Sequence, residues 1–277
     1  MPDRRWRFVQ EIAALSGVRD QAVLHALDAV PREEFLPPGP WTVEGVDGGC
    51  FQSPDDDPGH VLHAVGVVLS RAGEMPLHCA NPAAVARALQ GVAIAPGDRV
   101  LHVGAGLGYF SAIIAELVGP SGRVVAAEID PDLAAQAARN LAPWPIIDVT
   151  GDALSLAPRP YDVIFSSAGM AAIPLDWLAL LQPGGRMTLP LTGSNEAGFS
   201  FTFHKEASGA IRAKMESFVR FYPCIGLRQT ADVAALDLAL NNRRAPFVAA
   251  LRQDHHEHEP ECWLHSDGWC LTTRTSC

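Results

Sequence analysis

The run Gly104-Ala105-Gly106-Leu107-Gly108 sets the tightest constraint on what this chain can become. It follows the short apolar stretch Arg99-Val100-Leu101-His102-Val103 and opens an apolar helical segment, Tyr109 to Leu117. Glycines there let the chain turn tightly and bring its backbone to a ligand with no Cβ in the way. The same rhythm extends to both sides. Val85 to Val92 reads as a helix, Arg123 to Glu128 as a second strand, and Asp132 to Asn140 as a helix. Ile146 to Val149, Asp162 to Ser167 and Gly185 to Pro190 read as further strands, with a helix over Pro174 to Leu181. Short apolar strands alternating with helices of about ten residues predict βαβ units, an α/β fold with a doubly wound, mostly parallel sheet.

The flanks read differently. Apolar spacing over residues 6 to 30 predicts two short helices separated near Gly17, and Pro31 ends the pattern. Residues 37 to 60, rich in Gly, Pro and Asp, read as a long loop. Past residue 198 the strands Phe199 to His204 and Ser217 to Tyr222 look antiparallel. The tail gathers His255, His256, His258, Cys262, His265 and Cys270. These are zinc-ligand types, but their spacing matches no finger or ribbon and acids are interspersed, so no metal is assigned. Cys262-Trp263-Leu264 and Trp269-Cys270-Leu271 around Asp267-Gly268 predict a small hairpin that caps the structure. The expected division is an N-terminal helical and substrate-loop region over 1–84, a cofactor-binding core over 85–228 and a C-terminal extension over 229–277.

Composition narrows the partners. A formal net charge of −10 gives no basic footprint for nucleic acid or an anionic membrane surface. No apolar run reaches the ~20 residues that span a bilayer. The N-terminal stretch carries Glu11, Arg19 and Asp20 and lacks the apolar run of a signal peptide. Six scattered cysteines without a C-x-x-C pair do not form a disulfide framework. A cytoplasmic location is expected.

Glu128 ends the second strand, where a carboxylate can accept both hydroxyls of a ribose. Asp152, in Gly151-Asp152-Ala153 after strand three, either reaches an adenine amino group or caps a helix. Ser166 and Ser167 end strand four and either face the substrate cleft or cap the next helix. The spacing is G-x-G-x-G, without the G-x-x-G that seats a dinucleotide pyrophosphate on a helix N-terminus. No Lys-Ser/Thr follows, which excludes a phosphate-cradling loop. A cofactor with ribose and adenine but no phosphate fits: S-adenosyl-L-methionine, with S-adenosylhomocysteine as product. The expected cofactor-binding residues are Val103, Gly104, Ala105, Gly106, Gly108, Glu128, Ile129, Asp152, Ala153 and Ser167.

Four segments carry a family resemblance. Val30-Pro31-Arg32-Glu33-Glu34-Phe35-Leu36-Pro37-Pro38 resembles the "VPREEFLP" entry segment of protein-L-isoaspartate O-methyltransferases. Val100 to Tyr109 resembles their cofactor loop, and Leu181 to Leu191 their "LKPGGRLVLPVG" strand. Phe218-Val219-Arg220-Phe221-Tyr222-Pro223 is similar to their later "VRFVPL" segment. The matches stand in the family's order between residues 20 and 228. The resemblance implies a seven-stranded Rossmann-like class I methyltransferase. It also implies methyl transfer from S-adenosylmethionine to a carboxylate of an aspartyl or isoaspartyl residue in a peptide or protein. Other readings are a paralogue methylating a peptide natural product or small molecule, a non-catalytic cofactor-binding module and, last, a dehydrogenase. Where the family carries Thr-Ile-Ser-Gln/Ala-Pro, this chain has Leu77-His78-Cys79-Ala80-Asn81-Pro82, with Ala80 in the serine position. His78, Ala80 and Asn81 are therefore the candidate acceptor-side residues. A carboxylate acceptor is already ionised and needs no base, whereas for a hydroxyl or amine acceptor His78 is either that base or a structural histidine.

Overall fold

The computed structural model describes residues 4–45, 48–70, 77–156 and 158–274. Cys277 and the first three residues lie outside these. The first elements are α1 (Arg4–Ser16), α2 (Gln21–Ala29), β1 (Thr42–Glu44), β2 (Cys50–Gln52), β3 (Gly66–Ser70), β4 (Leu77–Cys79) and α3 (Pro82–Val92). Next come β5 (Arg99–Val103), α4 (Tyr109–Val118), β6 (Arg123–Ala127), α5 (Pro131–Asn140), β7 (Ile147–Thr150), β8 (Tyr161–Ser166), α6 (Leu175–Leu180) and β9 (Leu181–Thr192). The chain closes with β10 (Ala197–Lys205), β11 (Ile211–Arg220), α7 (Thr230–Asn241), β12 (Ala250–Arg252), β13 (Cys262–Ser266) and β14 (Trp269–Thr272). Among the described residues no helix is long and apolar enough to cross a membrane.

These elements form two compact units, residues 1–98 with 105–155, and residues 99–104 with 156–277. In the first unit, local chemistry sets the helix starts. Asp20, Asn81 and Asp130 each turn a side-chain oxygen onto a free N–H of the helix that follows. Pro82 and Pro131 stand in the first turn, where the missing N–H costs nothing. Helix α4 buries nearly every side chain, among them Tyr109, Ile113 and Ile114. Strands β6 and β7 pair in parallel. A separate antiparallel sheet has the order β2-β1-β3-β4.

That small sheet corrects the expectation of an unstructured loop over 37–60. Trp41, Val43, Val61, Val67 and Cys79 form a buried cluster with Leu107 of the glycine turn. A three-residue strand needs only one inward side chain, here Val43, so Gly-, Pro- and Asp-rich neighbours hide it from any periodicity test.

The second unit is built on a sheet with the order β13-β14-β12-β11-β10-β9-β8-β5. β5, β8 and β9 run parallel, and every pairing from β9 outward is antiparallel. This is the mostly parallel class I core with its C-terminal antiparallel extension. Strand β11 runs over Ile211–Arg220 rather than starting at Ser217. Ile211 and Ala213 turn inward while Arg212 and Lys214 face solvent, an alternation that pairs with β10. Arg228 secures the approach to α7, donating to the carbonyls of Thr192 and Gly193 at 2.7 Å each.

His102, in the middle of β5, is fully buried, with its Nε2 2.9 Å from Ser167 Oγ and its ring edge-on to Phe165. Burial drives its imidazole from the usual 6.5 down to about 3. The folded state therefore favours the neutral ring. Its contribution is complete above pH 6.5 and is lost as pH falls from there toward 3. The urea midpoint should fall between pH 7.5 and 4.5 by clearly more in the parent chain than in His102→Gln. Equal losses would remove His102 as the cause.

Candidate functional site

The first unit holds a carboxylate locked to a glycine turn. Gly108 N–H donates to the Ala105 carbonyl at 2.9 Å, closing the turn, and Ala105 N–H donates to the Ala127 carbonyl at 3.0 Å. Two glycines are required for different reasons. Gly108 has φ +95°, and a Cβ there would meet Leu141 at 2.8 Å. Gly106 has φ +55° and a Cβ there would meet nothing within 4 Å, so its backbone borders open space. Glu128, only 8% exposed, lies at the end of β6. Its Oε2 accepts from Gly106 N–H at 2.7 Å and its Oε1 from Asp130 N–H at 3.0 Å. A carboxylate offers about four acceptor positions, so the oxygens retain capacity for further donors while their orientation is fixed. Ile129, beside it, is 44% exposed.

Asp152 shows the capping alternative in use. Its Oδ1 accepts from Leu154 N–H at 2.9 Å, at the head of the 3-10 turn Ala153–Ser155. In the second unit Val103 is buried at the end of β5, Gly104 has φ +75°, and Ser167 N–H donates to the Val103 carbonyl at 2.8 Å. Ser167 Oγ faces His102, while Ser166 Oγ is turned back onto the backbone of Ala168.

The residues expected on the acceptor side belong to a network that sequence reasoning missed. Its hub is Arg32, which has no exposed surface. Arg32 donates to the carbonyls of Val61 at 2.6 Å, Val65 at 2.7 Å and His63 at 3.1 Å, with Ala80 O at 3.5 Å. Glu11 accepts from Ala64 N–H at 2.8 Å and pairs with His63 at 2.7 Å. Asn81 accepts from Ala83 N–H at 2.9 Å to cap α3, while its Nδ2 donates to the Ala64 carbonyl at 2.7 Å. His78 Nε2 is 2.6 Å from Glu44 Oε2. The segments around residues 61–65 and 78–81 are thus fixed by side chains far away in sequence. Three residues after Arg32, Phe35 stacks edge-on to Tyr109 and against Trp144, next to the glycine turn. Asn140 donates to the carbonyls of Leu107 at 2.9 Å and Phe35 at 3.3 Å. The available signal was the "VPREEFLP" segment itself, whose resemblance to the family includes this arginine.

Comparison with known proteins gives a consistent result. The pattern of the protein-L-isoaspartate(D-aspartate) O-methyltransferase family matches residues 74–229. A protein-L-isoaspartate O-methyltransferase of Aeropyrum pernix is 34% identical over 230 residues, covering 81% of this chain and 80% of that one. One of Methanopyrus kandleri is 32% identical over 80% of this chain and 91% of its own. A solved protein-L-isoaspartate O-methyltransferase superposes with a TM-score of 0.67 at 25% identity, covering 91% of this chain and 72% of that one. A Plasmodium falciparum protein assigned to the same activity, in complex with S-adenosyl-L-homocysteine, gives a TM-score of 0.62 at 14% identity. It covers 80% of this chain and 98% of its own and speaks to the fold alone.

Replacing Arg32 by Met would keep the length of the side chain and leave the Val61 and Val65 carbonyls without a donor. The expected cost is about 2–5 kcal/mol, from two acceptors left unsatisfied at roughly 1–3 kcal/mol each. Arg32→Lys should recover only part of it, because an ammonium cannot reproduce the planar fork. Urea titration of both variants tests this, and a loss below about 1 kcal/mol for Arg32→Met would contradict the network.

Proposed function

The chain belongs to the protein-L-isoaspartate(D-aspartate) O-methyltransferase family, and on that premise we propose how its residues divide the work of methyl transfer. It is an S-adenosylmethionine-dependent methyltransferase acting on a carboxylate of an isoaspartyl residue in a peptide or protein. The observation that carries the residue assignment is the bond from Gly106 N–H to Glu128, which joins the open glycine turn to a fixed, buried carboxylate. That geometry suits a nucleoside. Glu128 would take the ribose hydroxyls, the backbone of Ala105, Gly106 and Gly108 would border the chain beyond the ribose, and exposed Ile129 would cover a face of the adenine. Asp152 and Ala153 would bound the adenine edge, with Asp152 held in place by its own turn. Val103 and Gly104 join the proposal through the family's cofactor-loop motif, and Ser167 through its place just past the end of β8. The bound cofactor supplies an electrophilic methyl on a sulfonium.

On the acceptor side the chemistry asks for alignment more than for a base. A carboxylate is ionised at neutral pH, so the chain must orient it and exclude water. His78, paired with Glu44, and Asn81, committed to α3 and Ala64, are assigned positioning roles. Ala80 leaves the acceptor without the hydroxyl that the family's serine offers. Arg32 fits the role of compensating charge. It has no carboxylate partner among the described residues, and its guanidinium reaches toward the Ala80 carbonyl. A fixed cation under this segment would favour an anionic acceptor in a protein whose net charge of −10 otherwise repels one.

Incubating the chain with labelled S-adenosylmethionine and an isoaspartyl peptide, beside its aspartyl twin, should label the isoaspartyl peptide selectively. Label on neither peptide, with transfer to some other acceptor, would reject this acceptor for the chain. Calorimetry with S-adenosylhomocysteine should show Glu128→Ala weakening affinity by about 1–3 kcal/mol, the cost of losing hydrogen bonds to a charged group. Unchanged affinity would refute the ribose role.

A further inference from the structure

The C-terminal tail brings four ligand-type side chains to one point. One ligand atom each from His256, Cys262, His265 and Cys270 lies within 4.8 Å of the other three. Strand geometry explains how. His265 on β13 is the register partner of Cys270 on β14, so the two share a face of the hairpin. Cys262 stands three residues before His265, and strict alternation would turn it to the opposite face. The register shifts between Cys262 and Leu264, and that bulge returns Cys262 to the face of His265 and Cys270. The sulfurs of Cys262 and Cys270 are 3.2 Å apart and not joined in a disulfide. His256 enters from the irregular segment between β12 and β13, with its Nε2 3.4 Å from Cys262 Sγ.

The surroundings are those of a metal site rather than a polar surface. Cys262 and Cys270 are buried, and the His256 side chain is 6% exposed. Trp263, Leu264 and Leu271 flank them, all buried. His256 is held as a ligating histidine needs to be. Its Nδ1 lies 3.0 Å from Asp254 Oδ1 and 3.1 Å from the Asp254 carbonyl, which leaves Nε2 toward the sulfurs. Asp254 is in turn gripped by Arg252 at 2.8–3.0 Å. Among the described residues His265 Nδ1 is buried without a hydrogen-bond partner, an unmet polar atom that a bound ion would account for. Two thiols and two imidazoles match the preference of a thiophilic divalent cation for tetrahedral sulfur and nitrogen donors. Zinc–sulfur and zinc–nitrogen bonds of about 2.3 and 2.0 Å require donor separations of roughly 3.3–3.8 Å, so the widest pair would close by about 1 Å.

We propose that His256, Cys262, His265 and Cys270 form a structural zinc site that ties the segment between β12 and β13 to the β13–β14 hairpin. Four protein ligands leave no open position, so the ion would hold the fold and take no part in methyl transfer. The proposal does not depend on the identity of the methyl acceptor. His255 and His258 stand outside the set, and the H-x5-C-x2-H-x4-C spacing matches no standard finger because a bulge, not a knuckle, brings the ligands together.

The test uses the full chain without an affinity tag, produced with zinc present, kept reduced and passed over a chelating resin before elemental analysis. Roughly one zinc per chain is expected, lost in Cys270→Ser and His265→Gln and retained in His258→Gln. Zinc removal should lower the thermal midpoint by several degrees. Should the ligand variants fail to fold, cobalt(II) reconstitution of the parent chain reads the ligand set directly. Intense tetrahedral ligand-field bands with sulfur-to-cobalt charge transfer, abolished by one equivalent of zinc, would support the site. Substoichiometric zinc with only weak octahedral cobalt bands would overturn it. So would equal metal loss in His258→Gln and His265→Gln, or a Cys262–Cys270 disulfide in protein prepared with zinc under reducing conditions.

Discussion

The N-terminal unit depends on a guanidinium that has lost its water. Burying an unpaired ion costs several kcal/mol, and Arg32 has neither solvent nor a carboxylate partner among the described residues to offset it. What compensates is the backbone. Hydrogen bonds from a charged donor are worth about 1.5–3 kcal/mol each, and Arg32 makes three good ones to carbonyls 29 to 33 residues further along the chain. The exchange runs both ways. Residues 61–65 form no helix or strand until Gly66, and the carbonyls of Val61 and Val65 would lose their donor if the fork were withdrawn, while His63 O keeps the Val65 N–H and Ala64 O keeps Asn81 Nδ2. Cation and loop are each costly alone and satisfied together, which couples the position of residues 61–65 to the folding of the unit.

A second coupling links that segment to the glycine turn. The chain that carries Arg32 presents Phe35 to Tyr109, the first residue of α4, and Asn140 ties the carbonyls of Phe35 and Leu107. Leu107 in turn belongs to the buried cluster of the small sheet, with Val43, Val67 and Cys79. The glycine turn is therefore clamped on both sides of Gly106, by apolar packing at Leu107 and by the bond from Gly106 N–H to Glu128. Gly106 itself borders open space. Rigid supports around one exposed backbone stretch are what preorganised binding requires, because little entropy then remains to be lost when a ligand arrives.

How much of this was legible in the sequence depends on the range of the interactions. The βαβ rhythm, the glycine turn and Glu128 were readable because strand, turn and helix each write their signal within about ten residues. The Asp267-Gly268 hairpin was readable for the same reason, and Gly268 has the φ of +80° that such a turn demands. Three features were not. The short strands Thr42–Glu44 and Cys50–Gln52 carry too few inward side chains to show a period. Arg32 looks like any surface arginine until its acceptors, which are backbone atoms and leave no mark on composition, come into place. The four ligand-type residues of the tail are spaced by a register shift, and no linear pattern encodes a shift of pairing between strands.

Under the proposed function, the alanine at position 80 reads less as a loss than as a change in how the acceptor is met. A serine hydroxyl beside the reacting carboxylate contributes about one neutral hydrogen bond, roughly 0.5–1.5 kcal/mol in net terms. A fixed cation acts over a longer range and is screened little when buried. The acceptor segment here keeps its proline, its cap at Asn81 and its support from Arg32, so its backbone is held even though its hydroxyl is gone. Displacement at a sulfonium by an ionised oxygen requires collinearity and dryness, and both are properties of the scaffold rather than of one hydroxyl. On the proposed acceptor role of these residues, selectivity rests on the backbone path of residues 61–65 and 78–81, set by Arg32, Glu11, Asn81 and the His78–Glu44 pair, more than on any single group placed against the substrate.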